Sequence, residues 1–379
     1  MNVEVVQQYC YLGIVFSASG NFGPACKSLY DKALKAFFKF KQLQPKNNAQ
    51  LAIKLFDMLV FPIISYAGVV WGPLLTDKIT HGNFMNVCDK APIERLNIRF
   101  CKYLLGVHKF ASNAAVKGEL GRYPLLIKIL QLSAKFHSRI ETLDDDSLVK
   151  LSYQDTVSHS ESNKNIYWCQ KMTKLKTLFL DLEFSTSSME NQYRHNWKHF
   201  IDMQALNDSK LSTYAQIKHE FGLENYIAQF PLQKRRNLTK FRISAHQLAI
   251  ETGRYTKPCK TPRDMRLCFH CGKIENESHL IFDCELYCDE RANFTNSINQ
   301  FSSLKLNPEP ATFIKVMSSL NGDLEFSEAL CSYINACFSK RKSSIDAINI
   351  GTESESSSPS QPAVTRSGRV TKKPRVLDL

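Results

Sequence analysis

Three cysteines and a histidine in the last third of the chain place the strongest constraint on its fold. Cys268, Cys271, His279 and Cys284 follow a C-x2-C-x7-H-x4-C spacing. Two thiols separated by two residues lie on one tight turn, where Gly272 relieves the backbone, and the imidazole and third thiol can close a tetrahedron. The spacing predicts a zinc site with four protein ligands. Such a site is structural, because no position stays open for water.

Two neighbouring residues leave the ligand set open. His270 lies inside the turn, and Cys288 lies four residues beyond Cys284 on the same helix face, so either can replace a predicted ligand. Glu275 and Glu277 are expected to be solvated or to support the ligands without binding the metal, because a site with sulfur and imidazole prefers those donors to carboxylate oxygen. The alternative is four unconnected residues in a reduced protein.

The chain carries a large positive charge. Its 379 residues include 49 lysines and arginines against 36 aspartates and glutamates, a formal net charge of +13. A surplus of this size attracts polyanions, so nucleic acid or an anionic membrane surface is the favoured class of partner. A hydrophobic fraction of 43% excludes wholesale disorder, and 15 glycines with 14 prolines exclude a collagen-like fibre.

The cysteine content and the first residues indicate an intracellular protein. Twelve cysteines are too few for a disulfide-stabilised mini-protein, and Met1 to Glu4 lack the basic and apolar parts of a secretory signal. An uncharged stretch at 58–76 is nearly long enough to cross a bilayer. Because Pro62, Gly68 and Gly72 interrupt it, we expect a buried helix that ends in a turn, and no membrane.

Residue periodicity predicts a mainly α-helical fold with a short N-terminal β-hairpin. Aromatic and β-branched residues up to Phe16 precede a turn signal at 17–21, which is typical of a hairpin. Apolar residues from Cys26 to Leu43 are then spaced as one face of a helix. Lysines on another face are either solvated or follow a phosphate backbone. These lysines are Lys32, Lys35 and Lys39.

Two further helices are expected before the middle of the chain. One runs from Ile93 to Leu105 and is closed by Gly106, and the other runs from Pro124 to Leu143. Three aspartates at 144–146 follow the second helix. They lack the hydrophobic strand flanks of a polymerase metal site, so we interpret them as a solvated turn.

A second basic cluster lies just before the cysteine and histidine motif. Between residues 232 and 266, ten lysines and arginines face two acids. A metal-binding module beside such charge binds phosphates well, while solvated surface charge is the competing explanation. Arg254 is the least secure contact, because Glu251 three residues earlier can pair with it. The predicted nucleic-acid contacts here are Lys234, Arg235, Arg236, Lys240, Arg242 and Arg254.

The C-terminal tail differs in composition from the rest of the chain. Residues 351–362 are rich in serine, glutamate and proline, and five lysines and arginines follow at 366–375 with no acid among them. This composition predicts disorder. The basic run from Lys372 to Arg375 is typical of a nuclear import signal or a DNA-contacting arm, which favours a nuclear location.

Eight short blocks precede the cysteine and histidine motif. The blocks are YLGI at 11–14, KALKA at 32–36, YAGVVWG at 66–72, FCK at 100–102, LGV at 105–107, GELGRYPL at 118–125, RISAH at 242–246 and IETGRY at 250–255. Together with that motif, they resemble the C-terminal part of the reverse transcriptase of LINE-type, non-LTR retrotransposons. Each block is short, and their order over roughly residues 9–291 gives the resemblance its specificity.

The resemblance implies the end of a palm, a thumb and a zinc-knuckle tail that binds RNA or DNA. Polymerases of this family hold two metal ions with an aromatic-x-Asp-Asp box, which this sequence lacks, so we expect no enzyme. The expected segments are a palm-end hairpin at 1–22, a thumb-like helical region at 23–120, a helical connector at 121–230, the basic segment with the zinc knuckle at 231–300, a helical region at 301–345 and a disordered basic tail at 346–379.

Two other interpretations stay open from the sequence. The chain can be a protein-interaction adaptor in which zinc only holds the fold together, or a relic of a mobile element without a selected function. The sequence does not distinguish RNA from DNA as the partner, and it does not set the oligomeric state.

Overall fold

A mainly α-helical fold is confirmed by the computed structural model of the chain. It describes residues 6–76, 78–162, 168–179, 186–206, 209–300, 309–318 and 323–355. Within these ranges the chain forms eighteen α-helices and one two-stranded β-hairpin. Most of the buried apolar side chains belong to one connected cluster that extends from Ile14 to Cys337.

The N-terminal hairpin pairs β1 (Gln8–Tyr11) with β2 (Ile14–Ser17) in antiparallel register. Its turn consists of Leu12 and Gly13, whose φ angles of 47° and 84° are those of a tight two-residue hairpin turn. The sequence predicts the hairpin but places its turn wrongly at 17–21. The first block of the LINE resemblance therefore forms the turn and not one continuous strand.

The predicted amphipathic helix is confirmed as α1 (Gly23–Gln42). Its buried face carries Phe37 and Phe40, and both rings contact Phe56 and Phe100 edge-on at 5.8 to 6.5 Å between centroids. Phe56 and Phe100 themselves stack at 4.1 Å. This aromatic cluster fixes α1 against two other helices and leaves its lysines on the outside.

The uncharged stretch at 58–76 is broken into short helices. Ala67 adopts a left-handed conformation (φ 50°), and the next turn ends at Gly72, where a Cβ would collide with Ile129. No single helix in the described ranges is long and apolar enough to cross a bilayer. Two helical segments, Ala49–Ile64 and Gly68–Leu75, reach that length and composition only when taken together, and the chain bends by 67° between them. The helices of this half are α2 (Ala49–Leu59), α3 (Phe61–Ile64), α4 (Gly68–Trp71), α5 (Phe84–Lys90), α6 (Glu94–Leu105), α7 (Asn113–Leu120) and α8 (Leu125–Glu141).

The two helices predicted before the middle of the chain are confirmed as α6 and α8. As expected, α6 ends at Gly106, whose φ of 64° favours glycine and stops the helix. The aspartates at 144–146 lie in an exposed turn after α8, as the sequence predicts.

A bundle of helices follows in the middle of the chain. Trp197 is buried there and donates a hydrogen bond from its indole nitrogen to the carbonyl of Ala114 (2.9 Å). This contact joins the middle helices to α7. The helices are α9 (Leu148–Ser162), α10 (Trp168–Leu178), α11 (Thr186–Leu206), α12 (Ser212–Ile217) and α13 (Asn225–Gln229).

The C-terminal part is organised around one long helix. This helix, α18, continues to Glu355, so residues 346–355 are helical and the predicted start of the disordered tail at 346 is wrong. The predictions for 356–379, including the basic run from Lys372, lie outside the described residues. The helices here are α14 (Leu232–Arg242), α15 (Ala249–Thr252), α16 (Cys288–Ile298), α17 (Pro310–Ser318) and α18 (Leu324–Glu355).

Candidate metal centre and basic surfaces

The four predicted metal ligands converge on one point. One ligand atom from each of Cys268, Cys271, His279 and Cys284 lies within 4.8 Å of all the others. The sulfurs of Cys268 and Cys284 are 3.8 Å apart, and the Cys271 sulfur is 3.3 Å from Nε2 of His279. A tetrahedral zinc ion about 2.3 Å from each sulfur separates two sulfurs by about 3.8 Å. The cluster can therefore hold a metal ion.

A tight backbone turn positions the first two thiols. The amide of Cys268 donates to the carbonyl of Lys273 (2.7 Å), and the amide of Gly272 donates to the carbonyl of Cys268 (3.0 Å). Gly272 has a φ of 70°, which explains why glycine follows the second cysteine. A bridge between Leu267 and Ile274 closes the turn from outside.

A π-helical turn at His279–Asp283 positions the other two ligands. Side chains of two later helices donate hydrogen bonds to the carbonyl groups of this turn and of Cys284, which follows it. Arg291 of α16 donates to the carbonyls of Ile281 (2.9 Å) and Cys284 (2.6 Å), and the hydroxyl of Tyr333 of α18 donates to Ile281 (2.9 Å). The ligand geometry is thus supported by the packing of α16 and α18.

Burial shifts the pKa of three of the four predicted ligands. Burial raises the pKa of the Cys284 thiol to about 12, and burial also raises the pKa of Cys268. Burial lowers the pKa of His279, so its imidazole is neutral at pH 7, the form that binds metals. Without a cation the two buried thiols keep their protons, and a divalent ion displaces them.

The two alternative ligands stay outside the cluster. His270 and Cys288 are both exposed, and the sulfur of Cys288 lies 4.0 Å from Nη1 of Arg291. The structure therefore brings together the four ligands that the spacing predicts. Neither alternative contributes an atom to the group.

The two glutamates of the motif are buried, so the expectation that they are solvated is wrong, and neither belongs to the group of ligand atoms, as the sequence predicts. Glu275 accepts hydrogen bonds from the amide of Ala249 (2.5 Å) and from Nε and Nη2 of Arg341 (2.9 and 2.8 Å). Glu277 lies 3.0 Å from Nε2 of His246. These carboxylates attach the metal-binding segment to α15, α18 and the loop after α14.

Two arginines of the predicted nucleic-acid contacts lie in the protein core. The Arg242 guanidinium pairs with Glu119 (3.2 Å) and Glu224 (3.1 Å). Arg235 donates to three backbone carbonyls, including that of Leu104 (3.1 Å). The prediction that these two residues contact phosphates is therefore wrong in this fold, because neither guanidinium reaches solvent.

The remaining residues of that basic cluster have different environments. Arg254 pairs with Glu251 (2.9 Å), as the alternative interpretation holds, and Lys234 forms an ion pair with Glu328. Arg236 is exposed and Lys240 is half-buried. Only part of the predicted cluster is therefore available to a ligand within the described structure.

A surface between α1 and α6 combines cations with aromatic rings. The Arg95 guanidinium lies over the Tyr30 ring and the Arg99 guanidinium over the Phe38 ring, both at 5.3 Å. Phe38 is 46% exposed. We name this the α1/α6 surface, and it includes Tyr30, Phe38, Lys41, Arg95, Arg99 and Tyr103.

Sequence reasoning identifies the lysines of α1 and misses the arginines of α6. Lys32, Lys35 and Lys39 are exposed as predicted. Arg95 and Arg99 are four residues apart on one helix face, and that spacing is the signal that was available. In the described part of the chain, no carboxylate lies within 4.0 Å of these five side chains.

Comparison of the chain with protein-family models, curated proteins and solved structures found no match. The likeness to LINE-type reverse transcriptases therefore rests on the short blocks quoted above.

Proposed function

We propose that this protein binds single-stranded RNA or DNA through the α1/α6 surface, and that zinc in the Cys3His cluster stabilises its C-terminal part. The alternation of cations and aromatic rings between α1 and α6 carries this proposal. Phosphates are attracted by the cations, and bases stack on exposed rings.

The exposed cations of α1 and α6 are available to bind phosphate. Lys35 and Lys39 project from α1, and Arg95 and Arg99 from α6, without a carboxylate partner in the described residues. The one acid of α1, Asp31, is exposed as well. Each phosphate contact releases condensed counterions, so binding should weaken steeply as salt increases.

The exposed ring of Phe38 supports a preference for single strands. A base stacked on an aromatic side chain contributes about 1–3 kcal/mol, and it must first leave the stack of a duplex. The protein is therefore expected to bind single strands more tightly than duplex DNA of the same length.

The donor set supports zinc as the metal. Three thiolates and one imidazole in a tetrahedral arrangement are typical of structural zinc, and all four positions belong to the protein. The ion then stabilises the fold and leaves no coordination position for a water nucleophile. The resemblance to a reverse transcriptase supports the same proposal, because the resembled region is expected to bind RNA or DNA.

Titration of labelled RNA and DNA by fluorescence anisotropy at several salt concentrations tests the proposal. The test variant neutralises the three cations of the α1/α6 surface, and the control removes the same charge from α8 and α10. The test variant is Lys41→Gln/Arg95→Gln/Arg99→Gln, and the control is Lys135→Gln/Arg139→Gln/Lys174→Gln.

The test variant should bind all sequences more weakly, with a salt slope reduced by roughly 0.7–0.9 for each phosphate contact removed. The control should keep a slope close to that of the wild type. Equal slopes for the two variants would contradict the proposal. If the wild type itself binds neither RNA nor DNA at low salt, the adaptor interpretation becomes the better one.

A further inference from the structure

A large cavity lies between α14, α15 and α18, and none of the four metal ligands lines it. Its volume is about 980 Å³. Pockets of about 300–1,000 Å³ enclose most of the surface of a small organic ligand. The cavity is therefore large enough for a nucleotide.

The walls of this cavity carry an excess of positive charge. Lys210, Arg236, Lys240 and Lys342 all line it, whereas Glu251 is its one carboxylate among the described residues. That carboxylate pairs with Arg254 (2.9 Å) and with Lys210 (3.7 Å). Burial, and secondly the charge of Arg236, lower the pKa of Lys240. Arg236, Lys240 and Lys342 have no carboxylate partner among the described residues, so the cavity favours an anionic ligand.

A buried hydroxyl in the cavity wall has no partner among the described residues. Ser244 is 1% exposed, lines the cavity, and its Oγ makes no hydrogen bond to any of them. Its φ of 52° is an uncommon conformation for serine, and strained residues of this kind occur often at binding sites. Because buried hydroxyls almost always find a partner, Ser244 offers a hydroxyl to a polar ligand in this cavity.

Aromatic rings border the cationic wall. Tyr255 is 60% exposed and Phe110 is 70% exposed, and both line the cavity. The cationic wall favours an anionic group, and the aromatic rings favour a planar ring that can stack on them. A phosphate attached to a nucleoside has both parts.

We propose that this cavity binds a nucleoside phosphate, with the phosphate beside Lys240 and Lys342 and the base against Tyr255. The ligand is either a free mononucleotide or one nucleotide of a single strand. The proposal stands on the cavity alone and does not require binding at the α1/α6 surface.

Isothermal titration of the full-length protein with AMP, UMP and a single strand of about 12 nucleotides tests this proposal. Ser339 is exposed on α18 and lines the cavity, so Ser339→Trp should fill it. Ser332→Trp is the matched control, because Ser332 is exposed on the same helix outside the cavity. Ser339→Trp should weaken mononucleotide binding by at least about tenfold, and the control should not.

A second variant separates binding from folding. Ser244→Ala removes a hydroxyl that has no partner, so thermal stability should not fall while nucleotide affinity does. Binding of AMP or UMP identifies a free nucleotide as the source. Binding of the strand alone, lost in Ser339→Trp, identifies a nucleotide within a strand. If neither probe binds, or if Ser339→Trp binds both as the wild type does, the proposal is wrong, whatever the variants of the α1/α6 surface show.

Discussion

Glu119 and Arg242 are separated by 123 residues in the sequence and form an ion pair inside the protein, with Nε of Arg242 3.3 Å from Oε2 and Nη2 3.2 Å from Oε1. Burial alone would raise the pKa of Glu119, but Arg242 and Lys218 outweigh it and hold that pKa below its ordinary value. Tyr226 donates its hydroxyl to the same carboxylate (2.5 Å). Two blocks of the LINE resemblance, at 118–125 and 242–246, thus meet in the core.

Replacing Arg242 should destabilise the protein strongly. Arg242→Gln leaves Glu119 and Glu224 buried without their cation, and breaking such a pair costs about 3–5 kcal/mol. Arg236→Gln, on the exposed side of the same helix, should stay within about 0.5 kcal/mol of the wild type. Urea unfolding followed by circular dichroism measures both. Equal midpoints for the two variants would show that the pair contributes little.

A methyl group at Gly118 should also be poorly tolerated. A Cβ there would lie 2.7 Å from the hydroxyl oxygen of Tyr214 and would collide with the Trp197 ring. Overpacking of this kind typically costs about 1–3 kcal/mol. Gly222→Ala is the control, since a Cβ at Gly222 meets no atom within 4 Å. Thermal unfolding should show a lower Tm for Gly118→Ala only, and an unchanged Tm in both would contradict the packing described here.

The purified protein should contain about one zinc ion per chain. Cys271→Ser/Cys284→Ser should lose it, because two of four ligands are removed, while Cys288→Ser should retain it, since Cys288 lies outside the cluster. Elemental analysis gives the stoichiometry, and limited proteolysis should cut the metal-free double variant between residues 267 and 284. Full zinc retention in the double variant would rule out this ligand set.

Acid should destabilise the protein partly through Asp57. Burial raises the pKa of this carboxyl, but Arg122 and Lys128 outweigh burial and hold the pKa below its ordinary value of 3.8. A carboxyl with a lowered pKa stabilises the folded state at neutral pH, and that contribution is lost as the pH falls through the folded-state value.

The stability difference between the wild type and Asp57→Asn should therefore be largest near neutral pH and shrink as the pH falls below 3.8, through the lowered pKa of Asp57. Asp31→Asn, an exposed residue of α1, should show no such convergence. Urea midpoints measured across this pH range provide the comparison. Parallel curves for the wild type and Asp57→Asn would refute the role given to the Asp57 pair.

Features encoded by neighbouring residues could be predicted from the sequence. The helices α1, α6 and α8 follow from apolar periodicity, and the metal ligands follow from a spacing within seventeen residues. The hairpin turn was misplaced because Leu12-Gly13 lacks the usual asparagine or aspartate before glycine.

Features that depend on distant segments could not be predicted. From the sequence, the charge of Arg235 and Arg242 suggests that both lie at the surface. In the structure they are buried, because carbonyls and carboxylates far away in the chain bind their guanidinium groups. The cavity beside Ser244 is missed for the same reason, because its walls come from several separate segments.

Glu275 lies in the chain between the second and third metal ligands, and it holds both the amide of Ala249 and the guanidinium of Arg341. The segment that carries the four candidate metal ligands therefore also helps to hold α18, a helix of 32 residues. A newly made chain in which this segment is unfolded loses one attachment of that helix, although the Lys234–Glu328 pair still joins it to α14, and it is more open to chaperones and proteases. The amount of this protein in a cell should consequently follow the supply of the metal.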